Sequence, residues 1–263
     1  MDREIAYAKI NLALHVRRRR DDGYHDLETL FAFCADGDVV EAELADGLSL
    51  TIQGPFAQNL STTDNLVLSA AEMLGQGRGA AIRLTKNLPV ASGIGGGSAD
   101  AAATLRLLSR LWRIEPDLHD IAAKLGADVP ACVNSTTTRG DGRGDVLTAS
   151  DADVSAMPVL LLNPAIPLST ADVFKAWDGV DRGALADWRM GRNDLEPPAR
   201  SLVPAIDDLI DWLSRQTGVT TARMSGSGAT CFAAFDDDAA CSAATEAAGK
   251  AYRHYWAMQS VLR

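Results

Sequence analysis

The amino-acid sequence predicts an α+β protein of two domains. Apolar residues alternate with a period of two in several short runs, as strands require, and recur at three- and four-residue steps in others, as amphipathic helices require. The two kinds of run follow one another without strict strand–helix–strand alternation, so a simple parallel α/β sheet does not fit. At 263 residues the chain is too long for one minimal core and fits one large or two modest domains.

Residues 5–16 alternate throughout. Ala6, Ala8, Ile10, Leu12, Leu14 and Val16 share one face, and Ile5, Tyr7, Lys9, Asn11, Ala13 and His15 the other. This predicts a strand with one buried face, and it sets Lys9 beside Asn11 on the opposite one. Residues 39–44 and 48–52 predict a hairpin turning at Asp46-Gly47. Asp64 opens a helix with Leu66, Val67, Ala70, Ala71 and Leu74 on its apolar side, and residues 80–85 alternate again. Ser98 can cap a helix whose apolar positions are Ala101, Leu105, Leu108 and Trp112. A further helix spans about 117–125 and stops at Gly126. The polar, glycine-rich run 139–145 marks the expected boundary between residues 1–150 and 151–263. Beyond it the pattern predicts a buried strand at 159–162 and a helix from about Ser169. It then predicts a helix bearing Leu202, Ile206, Leu209 and Leu213, two strands (219–224 and 231–235) around a glycine turn, an alanine-rich helix and a last strand.

Composition narrows the function. A net charge of −10 argues against a nucleic-acid binder, because phosphate backbones would be repelled. The longest apolar run, 157–162, is strand-sized and not membrane-sized, and the opening residues carry charge where a signal peptide would have its apolar segment. These readings predict a cytoplasmic protein with no membrane partner. Cys34, Cys132, Cys231 and Cys241 form no CxxC pair, and His15, His25, His119 and His254 show no HExxH spacing, so four reduced, buried thiols are expected. The basic run 17–20 meets Asp21, Asp22 and Gly23 at once and reads as a solvated turn.

The segment PVASGIGGGSAD carries the most chemistry. It contains Pro89, Val90, Ala91, Ser92, Gly93, Ile94, Gly95, Gly96, Gly97, Ser98 and Ala99, with four glycines in five positions. Such a stretch strips side chains from the loop and permits positive φ, so bare N–H groups can converge on phosphate oxygens. The following helix aims its positive end at the same place. No Lys-Ser/Thr follows the glycines, as a Walker A loop requires. Polar KNLP precedes them where a Rossmann strand would be buried, and HRD and DFG elements are absent.

The loop resembles the ATP-binding signature of the GHMP kinases, the superfamily of galactokinase and the homoserine and mevalonate kinases. AKINL (8–12) and MSGSGATCF (224–232) resemble that superfamily's other two motifs. DGYHDLETLF (22–31), LGADVP (125–130) and NDLE (193–196) are similar to the branch acting on an alcohol that bears a cytidine diphosphate group. The segments fall in the family's order and span nearly the whole chain. The resemblance implies an N-terminal ribosomal-protein-S5-domain-2-like domain and a C-terminal ferredoxin-like domain. It also implies transfer of the γ-phosphate of ATP, with Mg²⁺, to the 2-hydroxyl of a methylerythritol derivative, a step in non-mevalonate isoprenoid precursor synthesis. The expected partner is that small molecule, on a monomer or weak homodimer. Another GHMP kinase, for homoserine or a mevalonate derivative, and a non-catalytic nucleotide-binding module are the alternatives.

The resemblance also assigns residues. Asp128 is the implied catalytic base, although a carboxylate there can equally cap the next helix. Lys9 is implied to keep Asp128 ionised and to stabilise charge on the moving phosphoryl group, although a solvent-facing lysine fits the strand pattern as well. Asn11 is implied to bind the same substrate, Tyr24 to stack on cytosine and His25 to hydrogen-bond it. Phe31 is a core residue or a pocket wall. Phe174 is a helical core residue or the second face on the base, and Thr170 is a helix cap or a substrate contact. Ser225, Gly226, Ser227 and Gly228 form a tight turn that closes over the phosphates in the family. Asp100 faces magnesium or caps its helix, and the cap is the preferred reading. Two positions depart from the family pattern: Ala99 stands where a second serine is common, and Asp145 where a glutamate is expected.

Overall fold

The computed structural model describes residues 1–58 and 60–263. The chain forms two compact units, each assembled from separated stretches. The first comprises Met1–Lys9, Asp36–Val90 and Gly95–Ser135. The second comprises Ile10–Ala35, Ala91–Ile94 and Thr136–Arg263. Two long strands, β1 (Asp2–Arg19) and β2 (His25–Leu44), contribute to both. The alternation in β1 is real, and Ala6 through Val16 on the expected face are buried. Lys9, Asn11, Ala13 and His15 on the other face are buried too, so the strand's centre is covered on both sides.

In the first unit, β3 (Leu48–Gln53) is followed by α1 (Leu66–Gly75), β4 (Ala80–Thr85), α2 (Gly96–Trp112), α3 (Leu118–Leu125) and α4 (Val129–Asn134). The expected hairpin between 39–44 and 48–52 does not form. β4 lies between the two strands, antiparallel to β2 and parallel to β3. Its alternate residues Ala80, Ile82 and Leu84 are buried, and a strand with that apolar face gains most with neighbours on both edges. Gly79 lets the chain enter there, since a Cβ would lie 2.2 Å from the Ala45 carbonyl oxygen. α1 starts one residue later than expected, with Asn65 and not Asp64 as the cap that accepts from Val67 N–H.

The second unit continues with β5 (Thr138–Gly142) and β6 (Val146–Ala149). The glycine-rich run is therefore a hairpin, whose turn uses positive φ at Gly142 and Gly144. Then come β7 (Pro158–Asn163), α5 (Thr170–Ala176), α6 (Glu196–Leu202), α7 (Ala205–Ser214), β8 (Val219–Met224), β9 (Cys231–Phe235), α8 (Asp238–Ala251) and β10 (Trp256–Val261). From β7 onward this is βαββαβ with antiparallel order β10-β7-β9-β8, the ferredoxin-like arrangement. The single helix expected through Leu202 and Leu213 is two helices. Pro204 disfavours helical geometry at Val203, so α6 ends at an exposed Leu202 while Ile206, Leu209 and Leu213 enter the core.

The arginine run is not a bare turn. Arg17, Arg18 and Arg19 lie in β1, where Arg17 pairs with Glu28 and Asp181, and Arg18 with Asp26. Cys34, Cys132, Cys231 and Cys241 are all buried. No helix among the described residues is long and apolar enough to cross a membrane.

Candidate active site

The glycine loop ends at Gly95, whose φ of +65° makes it the N-cap of α2. The helix thus begins two residues before Ser98, which sits in its first turn and does not cap it. Gly95 brings no side chain to cap the helix, so the N–H groups of the first turn form a positive, donor-rich end. Ala99, in place of a second serine, is buried and adds no hydroxyl. Pro89, Ser92 and Ile94 are buried and anchor the loop, while Val90 and Ala91 are exposed.

Lys9 lies against that helix end. A Cβ on Gly95 would come within 2.9 Å of Lys9 Cε, so the glycine is needed for the lysine stem to pass. Lys9 Nζ donates to Asp128 Oδ2 at 3.1 Å. Asp128 occupies the N-cap position of α4 but makes no capping bond there, because its carboxylate turns to Lys9 instead. The lysine side chain is 4% exposed and the aspartate side chain 42%, so the carboxylate keeps an open side from which it can accept a proton.

In the second unit, loop residues 91–94 meet the turn of residues 225–228. Ser225 Oγ donates to Gly93 O at 2.8 Å, and Thr230 N–H donates to Ser92 O at 3.1 Å. A Cβ on Gly93 would lie 2.3 Å from Ser225 O, and one on Gly226 2.9 Å from Gly93 O, so both glycines serve close backbone approach. Asn11 N–H donates to Ser225 Oγ, and Asn193 Nδ2 donates to Met224 O and Gly226 O. Glu196 accepts from Met224 N–H. The NDLE segment therefore props up the SGSG turn. Thr170 Oγ1 and Ser227 Oγ are 2.8 Å apart, whereas the cap of α5 is Ser169. Asn11 Nδ2 donates to Thr29 Oγ1, and Asn11 Oδ1 is a buried acceptor with no hydrogen-bond partner among the described residues.

His25 is buried against Phe174, with ring centroids 4.8 Å apart, and against the edge of Trp177 at 5.6 Å. Burial lowers the imidazole pKa and the nearby Arg19 guanidinium lowers it further, so the ring is neutral at pH 7. Arg19 Nε donates to Nε2, which puts the ring proton on Nδ1. Tyr24 is exposed, and its ring contact among the described residues is with Arg143, whose guanidinium lies 5.1 Å from the ring centroid. Asp145 holds that guanidinium with bonds of 3.0 and 2.8 Å, which gives the departing aspartate a role. Phe31 is a core residue beneath Gly140 of the β5–β6 hairpin.

Asp100 is no cap. It is buried, 2.6 Å from Lys86, which also holds Asp38. Lys86 and Asp38 escaped the sequence reading although the signal was present. Lys86 continues the buried parity of Ala80, Ile82 and Leu84, and Asp38 that of Val40 and Ala42. Trp177 and Arg143 were missed as well, and no spacing marks them. Among the described residues no group of three or more His, Cys, Asp and Glu side chains could hold a metal ion.

Residues 65–136 match the GHMP kinases N terminal domain, which takes in the whole glycine loop, α2 and Asp128. Residues 172–254 match the GHMP kinases C terminal domain, which takes in Phe174 and the SGSG turn. The 4-diphosphocytidyl-2-C-methyl-D-erythritol kinase of Rhizorhabdus wittichii is 53% identical over 277 aligned positions, covering 99% of this chain and 94% of its own. The chain belongs to the 4-diphosphocytidyl-2-C-methyl-D-erythritol kinase family of the GHMP kinases. A relative of the same name from Novosphingobium aromaticivorans is 56% identical over 89% of this chain and 84% of its own. The crystal structure of a kinase of this family superposes with a TM-score of 0.85 at 32% identity, covering 99% of both chains. A homoserine kinase from Cytophaga hutchinsonii shares the fold, with a TM-score of 0.71 at 20% identity over 100% of this chain and 95% of its own.

Proposed function

We propose that this chain transfers the γ-phosphoryl group of ATP to the 2-hydroxyl of 4-diphosphocytidyl-2-C-methyl-D-erythritol, giving the 2-phosphate and ADP. The observation that carries the mechanism is the Lys9–Asp128 pair packed against Gly95 at the uncapped start of α2. The triphosphate lies on residues 89–99, where bare N–H groups and the helix dipole favour its charge. Asp128 takes the hydroxyl proton as the new O–P bond forms and the bond to ADP breaks. Lys9 keeps Asp128 ionised and meets the charge on the phosphoryl oxygens. Most of the acceleration comes from positioning and electrostatics.

Asn11 Oδ1 accepts from the alcohol substrate, and His25, Phe174 and Tyr24 receive the cytosine. Neutral His25 offers an Nδ1–H donor to a base, and Phe174 and Tyr24 offer aromatic faces. Ser225, Gly226, Ser227 and Gly228 close over the phosphates. The assignment gives the phosphate loop and the catalytic base Asp128 to residues 1–150, and the closing turn with one wall of the substrate cleft to 151–263. Mg²⁺ would arrive with the nucleotide. Asp100 is engaged by Lys86, so the loop offers Ser98 Oγ and no carboxylate cage. The enzyme works in the cytoplasm as a monomer or weak homodimer, without nucleic acid.

Homoserine and mevalonate derivatives are not favoured, since the relatives of 48–56% identity are kinases for the cytidine-linked alcohol. The test is a panel of candidate alcohols with ATP, following ADP release and the new phosphomonoester by phosphorus NMR. Turnover confined to the cytidine-linked alcohol is expected. Turnover only with amino-acid or mevalonate-type alcohols would overturn the substrate, and no ADP release with any alcohol would overturn the kinase reading.

A further inference from the structure

A buried ion triad lies beneath the start of α2, all within the first unit. Lys86 Nζ is 2.5 Å from Asp38 Oδ2 and 2.6 Å from Asp100 Oδ2. The three residues are 2%, 0% and 4% exposed. The other oxygen of Asp38 accepts the backbone N–H groups of Asn87 at 2.6 Å and Leu88 at 2.8 Å. Those residues lead into the loop at Pro89, and Asp100 stands in the second turn of the helix that leaves it. The ammonium thus ties the loop's entrance to its exit. A Cβ on Gly96 would lie 3.0 Å from Lys86 Nζ, so the triad sits directly against the first helical residue.

A buried triad of charges is a costly way to gain stability alone, because an apolar trio of the same volume packs as well without desolvation. What the charges supply is geometry: a fixed ammonium that cannot slide, bonded to both ends of one loop. The second oxygen of Asp100 is buried and has no hydrogen-bond partner among the described residues. Burial pushes the pKa of that carboxyl up, and the Lys86 ammonium opposes the shift.

We propose that Asp38, Lys86 and Asp100 are positioning residues for the nucleotide, holding the loop of residues 89–95 in the shape that receives the triphosphate. The inference rests on the ATP reading above. It predicts a split. Asp38→Asn and Asp100→Asn each remove one carboxylate, from opposite ends of the loop. Each raises KM for ATP about tenfold while leaving KM for the alcohol within about twofold. Steady-state kinetics on the full chain, with binding of a non-hydrolysable ATP analogue by calorimetry, reads both. Lower melting temperature with both KM values unchanged, or both raised together, would overturn the proposal, as would failure of both variants to fold. Absence of turnover in the unaltered chain would instead count against the kinase reading itself, so the two failures are distinct.

Discussion

The first compact unit contains two lysines buried almost equally, and their partners differ. Lys9 pairs with the Asp128 carboxylate, which is 42% exposed. Lys86 faces two, both sealed, and one of them is further bonded to two backbone N–H groups. A carboxylate with an open side can exchange a proton with a substrate, whereas one closed on every side can only hold structure. On the proposed mechanism the same pairing of residue types serves chemistry at Lys9–Asp128 and holds structure around Lys86, and solvent access separates the two.

The sharpest way to break this comparison is to remove each ammonium. Lys9→Met is expected to lower kcat on the order of 10²–10³-fold while the chain still folds, since its partner can be solvated. Lys86→Met leaves buried carboxylates uncompensated and costs about 3–5 kcal/mol, a large share of the roughly 5–15 kcal/mol that a domain possesses. Thermal unfolding and turnover, measured on both variants, check the contrast. A folded, active Lys86→Met chain or an unfolded Lys9→Met chain would erase it.

A smaller effect is expected at Gly95. Alanine there meets a positive φ and Lys9 Cε at 2.9 Å, so the lysine must move. The backbone term is about 1–2 kcal/mol, and kcat should fall more than KM for either substrate. Equal kcat in Gly95→Ala would show that the lysine stem need not cross the helix end.

The mildest effect concerns His25. Folded His25 protonates only below the ordinary imidazole pKa of about 6.5, so the unfolded chain binds more protons across that interval. Stability is therefore expected to rise with pH through the interval and to fall as pH drops below about 6.5. His15, also lowered by burial, acts with the same sign, so the slope must be compared between the unaltered chain and His25→Phe. The variant should show a flatter melting temperature against pH and a KM raised for the cytidine substrate but not for ATP.

Much of this was legible in the sequence because period and turn chemistry are local. The alternation in β1, the glycine loop, the starts of α3 and α5 and the βαββαβ order follow from neighbours along the chain, although the cap of α5 is Ser169 and not Thr170. What was not legible depends on distant partners. Nothing local says that β4 would enter between β2 and β3, or that Pro204 would split a helix whose apolar spacing runs on. Asp100 and Asp128 have equally good local readings as caps. Only Lys86 and Lys9, remote in sequence from their partners, decide against them. Phe31 shows the reverse, since burial under the β5–β6 hairpin answers a choice that its own segment left open.

The most direct test of the account is Asp128→Asn in a single-turnover experiment with ATP and 4-diphosphocytidyl-2-C-methyl-D-erythritol, reading phosphomonoester formation. Nucleotide affinity should be retained and the transfer rate should fall about 10²–10⁴-fold. A variant that forms the phosphomonoester at the unaltered rate would contradict the assignment of Asp128 as the base.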